Sequence, residues 1–190
     1  MATTKNGRAN ALRRELSTSV EVTSGASVDA IYDILADVRT HLVWGGERQS
    51  ETSRLTSIEA PDGPARVGTE FRTTGRDPMG TFHDSSVVTE ATRPEVFEFV
   101  TEATLRTKRG SSVEWTNVHR YELQPSRAGS SIRYTIRIVR VSELPGMLRA
   151  MRMPVLSGLV MRAAGGVAER GVRNLVALAE ERQGLSSGRS

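Results

Sequence analysis

The 190-residue sequence predicts an α+β domain: a curved antiparallel sheet of six or seven strands closed by one long C-terminal helix. Three observations lead there. Six segments of alternating apolar and polar residues follow one another between residues 52 and 142, divided by short turn signals, which makes neighbouring strands antiparallel. A first strand and two short helical segments precede them. From Leu159 to about Gln183 the apolar spacing becomes helical.

Taken in order, residues 1–14 are polar without a usable period and read as a disordered extension. From Leu16, Val20 and Val22 alternate with polar neighbours in a strand of about six to eight residues. Ser27 is placed to cap a helix whose Ile31, Ile34 and Leu35 share one face. A second short helix carries Val38, Leu42 and Trp44 and stops at Gly45-Gly46, with His41 read as surface or rim. Turns at Pro61-Asp62-Gly63-Pro64, Asp77-Pro78-Met79-Gly80, Arg93-Pro94, Arg109-Gly110 and Ser126-Arg127-Ala128-Gly129 bound strands near 52–59, 68–76, 81–90, 95–105, 113–124 and 130–142. Residues 143–158 mix Pro145, Gly146, Pro154 and Gly158 with Met147, Met151 and Met153, a segment too broken for a rigid helix and suited to a movable lid. In the long helix, Val160, Ala164, Val167, Gly171, Leu175 and Leu178 form the stripe expected to face the sheet. The domain is therefore 15–183, and 184–190 a disordered tail.

One helix about 10 Å across cannot fill the concave side of a strongly curved seven-stranded sheet. Side chains take up part of that space, and the remainder is a pocket for a small molecule. Gly165, Gly166 and Gly171 each cost about 1 kcal/mol relative to alanine inside a helix, which fits a face needing room or close approach.

Composition narrows the chemistry. The chain has no cysteine, which excludes disulfides, thiol nucleophiles and thiolate metal sites. Three histidines without a His-Glu-x-x-His spacing argue against a metal, and no cofactor motif is present. The net charge of +4 is modest for a nucleic-acid binder, and lysine occurs only at Lys5 and Lys108. The arginines between Arg137 and Arg173 read as a solvated face. No run approaches the roughly 20 apolar residues of a membrane span, and no secretory leader follows Met1, so the expectation is a cytoplasmic protein. Monomer and homodimer are both compatible with the sequence.

Strand alternation assigns the pocket wall. Phe71, Phe97, Phe99 and Tyr134 point inward, as does the row Trp115, Asn117, His119 and Tyr121, while Arg72 points outward. Apolar bodies with converging polar tips suit a flat, oxygenated ligand. His119 is the candidate base and Tyr121 the candidate enolate stabiliser. Trp44, Met147, Met151 and Val167 complete the expected ligand contacts. Asp84 is read as solvent-exposed near the Met79-Gly80 turn.

The element order and several phrases resemble the START-like (SRPBCC) superfamily, with its polyketide cyclase/dehydrase and birch-allergen-like helix-grip proteins. These phrases are Ala26-Ser27-Val28-Asp29-Ala30-Ile31-Tyr32-Asp33-Ile34-Leu35-Ala36-Asp37 followed by Trp44, Val67-Gly68-Thr69-Glu70-Phe71, Val88-Thr89-Glu90 through Pro94, and His119-Arg120-Tyr121-Glu122-Leu123-Gln124-Pro125 with Gly129-Ser130-Ser131-Ile132. The resemblance spans roughly residues 16–183 and implies a helix-grip fold with an internal cavity. It admits three functions: a carrier of an apolar or aromatic, polyketide- or lipid-like molecule, an aromatase/cyclase working through cavity His and Tyr residues, and a surface-binding protein using its arginine-rich end.

Overall fold

In the computed structural model, which describes residues 11–48, 53–141 and 154–185, the predicted order is realised. Strand β1 (Ala11–Ser24) leads into helix α1 (Val28–Ala36), a 3₁₀ turn (Val38–Thr40) and a π-helical turn (Leu42–Glu47). Strands β2 (Arg54–Glu59), β3 (Glu70–Asp77), β4 (Gly80–Thr92), β5 (Val96–Thr107), β6 (Ser112–Ser126) and β7 (Gly129–Val141) follow, and helix α2 (Pro154–Arg182) completes the described chain. All neighbours are antiparallel in one seven-stranded sheet of order β1-β7-β6-β5-β4-β3-β2. The chain thus meanders from β2 to β7, and β1 joins the far edge.

Two boundaries differ from expectation. β1 begins at Ala11, so residues 11–14 belong to a strand rather than to an extension. Their polarity misled because an edge strand has one partner and tolerates polar side chains. Helix α2 starts at Pro154, so Pro154–Gly158 are helical despite Pro and Gly. Proline is favoured at a first helical position, where its missing N–H loses no bond. The proposed lid lies otherwise at 143–153, outside the described residues, as do Met147, Met151 and residues 186–190. Gly184 ends α2 as expected, with φ of 71° and the Leu185 N–H returning to the Glu180 carbonyl at 2.9 Å.

The C-terminal half of α2 is fixed by both packing and hydrogen bonds. Val172, Leu175, Val176, Leu178 and Ala179 are buried against α1 and the Val22–Leu123–Ile132 end of the sheet. Ser27 caps α1, its Oγ accepting from the Ala30 N–H at 3.3 Å and from Gln183 Nε2 at 3.1 Å. Glu180 Oε1 accepts from Ser24 Oγ at 3.0 Å and the Gly25 N–H at 2.8 Å. Arg93 ties the β4–β5 turn to α1 through Asp29 and Asp33 and lies over the Tyr32 ring.

The buried face of α2 keeps Gly171, Leu175 and Leu178 of the predicted stripe and adds Val172, Val176 and Ala179 beside it. Ala168, Val172, Leu175 and Ala179 face the sheet, while Val167 is 41% exposed and does not line the interior. Two apolar stripes lie side by side in the sequence, and docking buries both over the C-terminal half of the helix. Gly171 belongs to this buried face, yet a methyl group built on it would meet no atom within 4 Å. Gly171→Ala is therefore expected to raise folding stability by about 1 kcal/mol through helix propensity alone, as read from urea denaturation. A loss of stability would mean that this space is already filled.

The convex face is a lattice of ion pairs. Arg120 binds Glu90 at 2.6 Å, Glu98 at 3.1 Å and Glu122 at 3.4 Å, and Arg140 reaches Glu102 at 3.4 Å. Arg173 pairs with Glu169 at 2.6 Å. Such exposed pairs contribute little each. No helix among the described residues is long and apolar enough to cross a membrane.

Candidate functional site

Register lines up the concave side of the sheet in rows. Phe97, Tyr121 and Tyr134 are direct neighbours across β5, β6 and β7. The next row is Val88, Phe99, His119 and Ile136, then Phe71, Ser86, Thr101, Asn117 and Ile138, then Thr73, Asp84, Ala103 and Trp115. The predicted inward parity of β5, β6 and β7 holds, and Arg72 faces solvent. A bulge at Thr89 changes the parity of β4, so that Ala91 rather than Glu90 stands beside Phe97. Beyond this wall Phe82 covers Gly75 so closely that a Cβ there would lie 2.0 Å from the ring, so any larger residue would have to displace it.

The first two rows form an aromatic cluster roofed by the short helical turns. The His119 ring stacks on Phe99 at 4.7 Å with planes 13° apart, and its Nδ1 lies 2.7 Å from the Tyr134 hydroxyl. Tyr134 stacks on Tyr121 at 4.5 Å. Burial lowers the His119 pKa to about 3, with a smaller contribution from His41, and raises those of Tyr121 and Tyr134 above the ordinary phenol value. The imidazole is thus neutral and both phenols are protonated, and one hydrogen bond joins His119 Nδ1 to the Tyr134 hydroxyl, its direction set by the histidine tautomer.

His41 is not at the rim. It is buried, because the turn that carries it folds back over Phe71 and Phe99, with ring centroids 6.1 and 5.7 Å away. Its Nδ1–H donates to the Val38 carbonyl at 3.0 Å, which leaves Nε2 as an acceptor. Burial lowers its pKa to about 4. Trp44 is buried beside it at 4.2 Å and donates through Nε1 to Thr40 Oγ1 at 3.2 Å, so it packs the roof rather than an entrance.

The next two rows are polar. Ser86 and Thr101 hydroxyls are 2.9 Å apart, and Thr73 Oγ1 donates to Asp84 Oδ2 at 3.3 Å. Asp84, expected in solvent, is half-buried, and desolvation raises its pKa to about 6 against the Thr73 hydrogen bond. Three buried acceptors have no hydrogen-bond partner among the described residues: His41 Nε2, Asp84 Oδ1 and Asn117 Oδ1. Sequence reasoning found Asn117 but missed Asp84 and His41. The signal for Asp84 was its shared parity with Phe82 and Val88.

Because the folded-state pKa of Asp84 lies above its ordinary value, stability falls as pH rises from about 4 to about 6. Asp84→Asn should therefore stabilise the protein by about 3 kcal/mol above pH ~7 and have almost no effect at pH ~3.5. Denaturant midpoints of both proteins across that range check this; an equal difference at every pH would show that the carboxylate carries no burial penalty.

On the convex side, Ser57, Glu59, Arg72, Thr74 and His83 line a shallow polar depression of about 210 Å³, which Thr73 and Asp84 also border. Among the described residues no group of three or more His, Asp or Glu side chains is placed to hold a metal ion.

No protein-family model matches the chain. No curated protein matches it either. Solved structures do. An uncharacterized protein from Rhizobium leguminosarum superposes with a TM-score of 0.60 at 13% identity, over 88% of this chain and 96% of that one. A protein from Nitrosomonas europaea gives 0.55 at 18% identity, over 89% and 97%. A hypothetical protein from Helicobacter pylori gives 0.53 at 14% identity, over 87% and 88%. These likenesses establish the fold and nothing about activity.

Proposed function

We propose that the protein binds an apolar or aromatic small molecule between the concave sheet and α2, as START-like helix-grip carriers of polyketide- or lipid-like ligands do. The observation that carries this reading is the set of unpartnered buried acceptors on one wall and its roof. Leaving a buried polar atom unpaired costs about 1–3 kcal/mol, and three at one place are hard to explain as packing. A ligand that pairs with them recovers that cost on binding. Phe71, Phe99, Trp115 and Tyr134 supply the apolar body of such a site, and Phe97 with Trp44 its buried backing.

The electrostatics favour binding over catalysis by His119. An imidazole with a pKa of about 3 is a poor proton acceptor at neutral pH, and Tyr121 holds its proton as a donor. A second reading, a cyclase-type enzyme, is favoured by one group only: Asp84, whose pKa of about 6 suits a general base.

Native mass spectrometry of the purified protein tests the main reading. It should reveal a co-purifying small molecule or one-to-one uptake of anilinonaphthalenesulfonate, retained in His119→Ala. Absence of any one-to-one adduct with either would refute it. Turnover abolished in Asp84→Asn with binding intact would instead favour the enzyme.

A further inference from the structure

We propose that the ligand of this site is recognised through hydrogen-bond donors at its two ends, with Asp84 and Asn117 as the acceptors that select it and His41 Nε2 accepting from above. This rests on the binding reading and adds the chemistry of the guest. Every orphaned buried atom among the described residues accepts rather than donates: Asp84 Oδ1, Asn117 Oδ1 and His41 Nε2. The His41 assignment follows from its bond to the Val38 carbonyl, which cannot donate and so fixes the proton on Nδ1. Asn117 and His41 are 9% and 7% exposed, so bulk water does not solvate them.

Some of the hydroxyls along the same wall are already engaged. Thr73 donates to Asp84, Ser86 and Thr101 bond to each other, and the Tyr134 hydroxyl is engaged with His119. A ligand whose only polar atoms are ketone or ether oxygens has no donor to offer and would leave these three acceptors unpaired. A hydroxylated ligand satisfies it. Asp84 and Asn117 stand on β4 and β6, two strand spacings and one inward step apart, which is roughly 12 Å between backbone positions. A rigid aromatic molecule of about two rings with a hydroxyl at each end spans that interval once the side chains lean inward.

Titration calorimetry of the full chain with three matched probes tests this: para,para′-dihydroxybiphenyl, its dimethyl ether, and biphenyl. The diol should bind about tenfold or more tighter than either of the others, because each missing donor leaves a buried acceptor unpaired. Asn117→Leu and Asp84→Leu should each narrow that preference while leaving biphenyl affinity equal or improved. The comparison of probes on the unmodified protein decides the matter even where a variant fails to fold. Equal affinity for all three, or a preference for the ether, overturns the donor rule while cavity binding stands. No binding of any probe overturns both.

Discussion

Lowering the pH from about 7 to about 4 is expected to remove roughly 4 kcal/mol of folding stability, a large share of what holds a domain of this size together. His41 and His119 titrate in the unfolded chain near the ordinary imidazole value of 6.5, but folded at about 4 and about 3. Their contribution is complete above pH ~6.5 and is lost as pH falls, because the unfolded state then binds more protons than the folded one. By pH ~4 the two together account for about 6 kcal/mol, and Asp84 returns about 2 because its shift has the opposite sign. Urea denaturation at a series of pH values would measure the slope. His119→Gln and His41→Gln should each remove about half of the histidine part, and a stability flat between pH ~6.5 and ~4 would place both rings in water.

Phe99→Ala should destabilise the protein by about 3–5 kcal/mol, the usual cost of emptying a buried aromatic site. Phe99 is 6% exposed and sits at the centre of the cluster, within 5.3 Å of Phe71, 6.2 Å of Phe97 and 6.4 Å of Tyr121 by ring centroids. The same ring shields one face of His119. Its removal therefore has a second consequence: with water admitted, the His119 pKa should rise towards 6.5 in an NMR titration. Phe99→Leu should cost less and leave that pKa low. A His119 pKa unchanged by Phe99→Ala would mean that its burial comes from another element.

The wall of the site was legible where a single rule governed it. On β5, β6 and β7 the apolar alternation runs unbroken through Phe97, Phe99, His119, Tyr121 and Tyr134, and a period of two fixes which side each residue takes. It failed where geometry depends on something outside the strand. The bulge at Thr89 has no distinguishing residue. Asp84 lies only four residues after a turn and looks solvated, yet β4 runs from Gly80 to Thr92 and carries it under cover. His41 belongs to a turn whose direction depends on what it packs against, here Phe71 and Phe99. Val167 was misplaced because two adjacent stripes of α2 are comparably apolar.

By itself the sequence determined the element order, the antiparallel meander and the inward parity of the central strands, because these follow from local periodicity and turn chemistry. Only the tertiary structure decided the exposure of Val167, the cover over Asp84 and His41, and the protonation states of the site. Desolvation depends on what covers a group, and that cover comes from segments distant in the chain.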